Sequence, residues 1–394
     1  MAKDVLIITN YFPPEIGAAS NRIHHLAHQL QLNSINVRVL TPLPNYPTGK
    51  IFADYKGVFK HTSTEQGIEI SRLWIYASNS KNKLSRLVAM LSYSFSLIWY
   101  FLWNKIPSTV IVQSPPLLVA FTCMLFLKRK KRRLVLNVSD LWPKAGLELG
   151  AFKKNTSYKL LERIERFNYN RASIVLGQSE EILAHVKAVS NHDDTLLYRN
   201  YPDFKPLQPR DLNIDRPLKI VYAGLLGIAQ GVLKVCQEIK LDNAELHIYG
   251  SGPEQHLIET FLKNHPELPI HYHGQLVREE LHKTLLNYDL ALIPLLNRIY
   301  GSVPSKLFEY TRLGLPLLYF GGGEGESIVK TYELGWTAVA GNYEHLNEVI
   351  SSIKPSTTSI DYKRKIQKIA IENFNSKNQL NELINKLYPR HELH

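Results

Sequence analysis

The stretch Val303-Pro304-Ser305-Lys306-Leu307-Phe308-Glu309-Tyr310 runs on through Thr311-Arg312-Leu313 to Gly314 and Pro316, and it marks both ends of a short helix. Proline suits the first helical position, and glycine followed by proline closes the far end. The backbone N–H groups of Ser305 and Lys306 then lie in the first turn, where unsatisfied donors and the helix dipole favour an anion. Lys306 adds a point charge, and the helical spacing puts Glu309 on the same face as Ser305 and Lys306. A phosphate and a diol could be held together there. On these residues alone a plain surface lysine–glutamate pair, worth roughly a few tenths of a kcal/mol, stays open.

Such a turn needs a strand to carry it, and the chain supplies strands in series. Short apolar runs at Val5 to Thr9, Val37 to Leu40, Ile68 to Trp74, Thr109 to Gln113, Arg133 to Val138 and Ser173 to Gly177 are separated by helix-length segments. This is the pattern of a parallel sheet with crossover helices. Residues 199–217, RNYPDFKPLQPRDLNIDRP, hold four prolines and read as linker. The alternation then resumes at Leu218 to Tyr222, Glu245 to Tyr249, Ile270 to His273, Leu290 to Pro294 and Leu317 to Phe320. The expected fold class is α/β, with two doubly wound Rossmann-like domains, 1–198 and 218–375, facing across a cleft. A C-terminal helix and tail, 376–394, has the option of packing back on the first domain. Ligands in open α/β sheets bind beyond the carboxyl ends of the strands, which places the expected site between the domains.

Length and composition narrow the function classes. The chain has 394 residues, two cysteines, Cys123 and Cys236, and a formal charge of +12. A disulfide scaffold and a cysteine zinc site are excluded, and a cytoplasmic location is expected. The charge excess concentrates at Lys128-Arg129-Lys130-Lys131-Arg132-Arg133, six adjacent cations. The twenty residues from Leu84 to Trp103 carry Arg86 as their one charge, and Leu117 to Leu127 carries none. Together these segments point to docking on an anionic membrane face, with a buried helix, a solvated loop and, for Leu84 to Trp103, a membrane-spanning helix kept open as alternatives. Nucleic acid is not expected, since no fingerprint accompanies the charge.

Other constellations are weaker. Asp140 ends an apolar strand at the expected cleft edge and is the preferred catalytic-face acid, with Glu15 of the first loop second. Each has a bland alternative, and for Asp140 it is a helix cap or turn residue. Glu324 and Glu326, in the loop after the strand that follows the Glu309 helix, are candidates for contact with a sugar. His24 and His28 are four apart on a helix without a third ligand, so no metal is expected there. His271 and His273 share one face of a strand and are expected to pack or hydrogen-bond.

The motifs in their order resemble the retaining family 4 glycosyltransferases of the GT-B fold, in particular the fucosamine-transferase-like enzymes of O-antigen and capsule synthesis. The resemblance rests on NYFPPEIGAASNR, NYPTGK with DYKG, NVSDLWPKAGLELG, YAGLLGIAQG, IYGSGPE, HYHGQLVREEL, YDLALIPL and VPSKLFEY. It implies that Glu309 binds the ribose hydroxyls of a nucleoside diphosphate and that backbone around Ser305 and Lys306 meets the diphosphate. It further implies that Gly274, Gln275 and Leu276 offer backbone to the base, commonly uracil, and that Gly224 and Gly227 let the chain approach the phosphates. Gly17 falls in the first loop, on the substrate side.

Three positions depart from the family pattern. Gly301 stands where many members have a glutamate, Leu225 and Gln230 where many have arginine and lysine, and Ser139 where a histidine often precedes the acid. Lys306, with Arg298, is left to supply the charge for the leaving group. The expected function is transfer of a hexose or N-acetylated amino sugar from a UDP-sugar to a lipid-linked saccharide at the inner face of the cytoplasmic membrane. The UDP-sugar is a co-substrate, and no metal is expected, because a helix terminus with Lys306 can stabilise the departing phosphate. An epimerase and a silent scaffold of the same fold are the alternatives.

Overall fold

The computed structural model describes residues 3–78, 83–148, 150, 153–296 and 299–389. The chain divides into two compact units: one runs to Asn200 and resumes at Lys377, and the other is Tyr201–Ser376.

The first unit holds β1 (Asp4–Ile8), β2 (Asn36–Pro42), β3 (Lys60–Glu65), β4 (Ile68–Leu73), β5 (Thr109–Ser114), β6 (Arg133–Val138), β7 (Ile174–Gly177) and β8 (Thr195–Leu197). They form one sheet in the order β3-β4-β2-β1-β5-β6-β7-β8. The β1, β5 and β6 strands are buried along almost their whole length, with apolar centres, as expected of a parallel sheet covered on both faces. The sequence reading did not find β3, whose residues KHTSTE are polar; it pairs antiparallel with β4 at the sheet edge, where one side can face water.

The second unit holds β9 (Leu218–Ala223), β10 (Ala244–Tyr249), β11 (Ile270–Tyr272), β12 (Leu290–Pro294), β13 (Leu317–Phe320) and β14 (Gly335–Thr337), in the order β11-β10-β9-β12-β13-β14, all parallel. The order reverses at β9, so the loops leaving β9 and β12 flank the switch point. Residues 201–217 lie on this unit without regular structure. Tyr201, Phe204 and Leu207 pack on its core, and Arg216 makes a two-pronged ion pair with Asp289, 2.7 and 3.0 Å.

The last helical stretch is two helices, Ile360–Asn373 and Ser376–Leu387. Ile366 and Ala370 of the former are buried in the second unit's core, whereas Leu380, Leu383 and Leu387 of the latter are buried in the first unit's core.

The helix Lys83–Trp103 has two faces. Tyr93 and Leu97 are fully buried, and Tyr93 donates to the carbonyls of Thr9 and Leu40, both at 3.2 Å. Leu84, Leu87, Val88, Leu91, Phe95, Trp99, Leu102 and Trp103 form an exposed stripe at helical spacing. No helix among the described residues is long and apolar enough to cross a membrane.

Candidate active site

In the second unit the switch point is occupied by a lysine crossing a glycine. Gly224 follows β9, and the helix Ser305–Arg312 follows β12. A Cβ on Gly224 would stand 2.7 Å from Lys306 Cε and 3.0 Å from the Tyr222 hydroxyl oxygen. The lysine stem therefore uses the space that the missing Cβ leaves, which is a different reason for glycine from the approach of a phosphate. Lys306 Nζ lies 5.3 Å from the Tyr310 ring centre. Burial lowers the ammonium's pKa, opposed by the charge of Glu309 and reinforced by that of Arg278. A cation so desolvated interacts strongly with an arriving anion.

The helix begins one residue later than expected. Pro304 is its N-cap and Ser305 its first residue, with the Ser305 side chain exposed. No side chain caps this end, so its first N–H groups can receive an anion beside Lys306.

The loops beside it are bound together through backbone. Gly224 N donates to Tyr249 O at 2.9 Å, Leu226 N to Ser251 O at 3.0 Å and Gly250 N to Gly274 O at 2.8 Å. A Cβ on Gly250 would fall 1.8 Å from Gly224 O, so no other residue fits there. Gly274 has φ +75°, the left-handed region, and the Ser251 hydroxyl donates to Gln275 Oε1 at 2.8 Å. Gly224, Gly274 and Gln275 thus belong to one framework, while the Leu276 side chain, partly buried, packs against the core. Gly227 accepts from Gln230 N within its own turn.

Glu309 is where sequence reasoning was least complete. Its Oε1 accepts from His282 Nε2 at 2.7 Å and Arg278 Nε at 3.0 Å. Burial alone would raise its pKa, but the His282 hydrogen bond and the charges of Arg278, Lys306 and His282 prevail and hold it down to about 2. Arg278 and His282 are four apart on the helix Arg278–Leu285, so both reach the same carboxylate. Phe204 lies against this group, its ring 4.3 Å from His282 and within 6 Å of both Arg278 and Arg312. That spacing in the helix after β11 was the available signal.

Glu324 and Glu326 stand in the first turn of the helix Gly323–Thr331 after β13. Glu324 is buried, and Glu326 pairs with Lys330 at 2.6 Å. Arg298 lies outside the described residues.

In the first unit, Glu15 is 3% exposed and its Oε1 accepts from the backbone of Asn45 and Tyr46, both at 2.8 Å. Burial raises its pKa against those hydrogen bonds and the charge of Arg72. Its visible work is to fasten two loops. Gly17 caps the helix Ala18–Leu32, and a Cβ there would stand 3.7 Å from the Tyr46 ring. Asp140 follows β6, accepts from the Ser139 hydroxyl at 3.3 Å and lies in the field of Arg22, whose pKa is lowered by burial against the Asp140 charge. Arg22 also donates to Gln178 at 3.0 Å.

Two Rossmann-like units, the second with a lysine and a helix terminus at its switch point, define the GT-B class. Residues 17–195 match the family model described as a Glycosyl transferase 4-like domain, and residues 205–373 that of Glycosyl transferases group 1. Between them the two models account for most of the chain, which belongs to the glycosyltransferases. Solved structures agree in fold. Sucrose-phosphate synthase from Thermosynechococcus elongatus is 13% identical over 99% of each chain with a TM-score of 0.74. HepE of Anabaena, solved with UDP and glucose, is 13% identical over 98% of this chain and 99% of its own, TM-score 0.67. WaaG, a glycosyltransferase of lipopolysaccharide biosynthesis, is 12% identical over 98% and 100%, TM-score 0.65. No curated protein matches this sequence.

Proposed function

We propose that this glycosyltransferase moves a hexose or N-acetylated amino sugar from a UDP-sugar to a lipid-linked saccharide in surface-polysaccharide assembly, with retention of configuration. The observation that carries the reading is the half-buried Lys306 laid across Gly224 at the open end of a helix, with Glu309 held ionised beside it. As the anomeric carbon acquires oxocarbenium character, negative charge gathers on the departing diphosphate. Lys306 and the N–H groups of Ser305 and Lys306 take that charge, so the donor step calls for no divalent ion. Glu309 accepts from ribose hydroxyls, while Gly274 and Gln275 meet the base. Retention follows if the departing phosphate oxygen receives the acceptor proton on the same face. Asp140 orients the acceptor, and Glu15 supports the first loop. Glu324 and Glu326 face the donor sugar. UDP bound to HepE and the lipopolysaccharide role of WaaG support donor and pathway class.

Docking on an anionic membrane completes the reading. The exposed stripe of the helix Lys83–Trp103 would enter the headgroup region, beside the loop Arg129–Lys131. Arg132 links the two, donating to the carbonyls of Ile106 and Pro107, just beyond the helix, at 3.3 and 3.1 Å. The six cations are not equivalent: Lys128, Arg132 and Arg133 spend their donors on backbone carbonyls, which leaves Arg129, Lys130 and Lys131 to meet lipid.

Calorimetric titration of UDP, GDP and ADP tests the donor site. UDP should bind best, and Lys306→Met should weaken it about tenfold, or roughly 1.4 kcal/mol. Failure of the wild type to bind any of the three would overturn the reading.

A further inference from the structure

On the edge of the second sheet a cluster of histidines runs up to the donor framework, its His273 stacked on Tyr249 at 4.6 Å. Glu245, His247 and Tyr249 alternate along β10 and share one face, as do His271 of β11 and His273 one residue beyond that strand. Register sets His247 opposite His271, with ring centres 4.9 Å apart, and the His247 and His273 rings stack at 5.2 Å. His247 Nε2 lies 3.2 Å from Glu245 Oε2, and His247 Nδ1 lies 2.9 Å from His273 Nε2. One ligand atom from each of Glu245, His247 and His271 falls within 4.8 Å of the others.

We propose that Glu245, His247 and His271 form a binding site for a divalent transition-metal ion of the zinc type, with His273 as its positioning residue. Two imidazoles and a carboxylate are a donor set such ions accept, leaving a fourth position for water. Bonds of about 2.0–2.2 Å in a tetrahedron put ligand atoms roughly 3.3–3.6 Å apart. The Glu245–His247 pair already stands near that separation, and His271, exposed on the edge strand, closes the third side by turning its ring. With Nε2 on the ion, His247 Nδ1–H donates to His273 Nε2, the hydrogen bond that fixes a ligating imidazole. Tyr288 walls the inner side, its ring 5.0 Å from His247.

One cation competes. Lys219, opposite Glu245 on β9, has Nζ 3.9 Å from Glu245 Oε2 and a partly exposed side chain that can swing away. Glu245 and His247 lie within β10, whereas the donor framework uses Gly250 just beyond its end, and His273 directly precedes Gly274 of that framework. An ion here would tie the three-residue edge strand β11 to β10 just before Gly274.

The test is zinc titration of the full, untagged, metal-stripped chain, with cobalt absorption reporting the ligand set. One equivalent should bind with a Kd on the order of micromolar. His271→Ala and His247→Ala should each weaken it at least about tenfold. His28→Ala should leave it unchanged, and Lys219→Met should tighten it several-fold by removing the competing charge. Because His271 is exposed, its variant reports on binding even if His247→Ala does not fold. Wild type without zinc affinity, or His271→Ala binding as wild type does, overturns the proposal. UDP titration of His271→Ala separates this outcome from failure of the donor site.

Discussion

Lys306 lies so close over Gly224 that a methyl group at 224 would meet its Cε at 2.7 Å. Gly224 follows β9 and Lys306 sits in the first turn of the helix after β12, on opposite sides of the switch point, so their contact sets where the ammonium stands relative to the helix terminus. In Gly224→Ala the flexible lysine must move while the backbone stays. UDP affinity should fall about tenfold, with the melting temperature nearly unchanged. Calorimetry beside thermal unfolding checks this, and an unaltered Kd would show that the lysine's position is immaterial.

Glu309 gives a pH dependence with a definite sign. Its folded pKa of about 2 lies below the ordinary carboxylate value, so the stabilisation is complete above about pH 5 and is lost as pH falls towards 2. At neutral pH the shift corresponds to at most about 3 kcal/mol. Glu309→Gln should therefore be less stable than wild type at pH 7 and close to it near pH 2. Urea unfolding across that range measures the gap, and a gap independent of pH would refute the assignment.

For Glu15 the sign reverses. Its folded pKa is raised, so ionisation carries a penalty that appears as pH rises through the ordinary carboxylate range and persists above the folded pKa. Glu15→Gln keeps an oxygen for the Asn45 and Tyr46 N–H groups and should match or exceed wild-type stability at pH 7. Glu15→Ala leaves both donors unmet and should cost about 1–3 kcal/mol. Equal stability of the two variants would show that the backbone bonds contribute nothing.

Membrane docking should depend on half of the basic run. Replacing Arg129, Lys130 and Lys131 with alanine should remove most binding to vesicles containing phosphatidylserine, at about 1 kcal/mol per cation, without changing the fold. Arg132→Ala should instead lower the melting temperature, because that guanidinium serves three backbone carbonyls. Co-sedimentation of the triple variant at the wild-type level would count against docking.

Much of this was legible in the sequence for a physical reason. Strands buried on both faces read as mostly apolar runs, and Arg133–Val138, Leu290–Pro294 and Leu317–Phe320 fall where the pattern put them. The polar edge strand β3 carried no such run. Lys306 and Glu309 were readable because they are local to one helix. The partners of Glu309, thirty-one and twenty-seven residues away, were not, since only the fold brings Arg278 and His282 to it. Glu15 was readable as a carboxylate of the first loop, but its engagement by the Asn45 and Tyr46 backbone was not. The GT-B expectation itself agrees with the two matched domains.

The return of the last helix to the first unit has a consequence for biosynthesis. A ribosome delivers the strands of that unit first, yet Leu380, Leu383 and Leu387, which pack into its core, emerge only after the whole second unit. During translation the early half waits with an unfilled apolar hollow while the intervening 176 residues, Tyr201–Ser376, form a complete unit of their own. The nascent chain thus finishes its second half before its first, and premature termination after Asn375 would leave the earlier half permanently open.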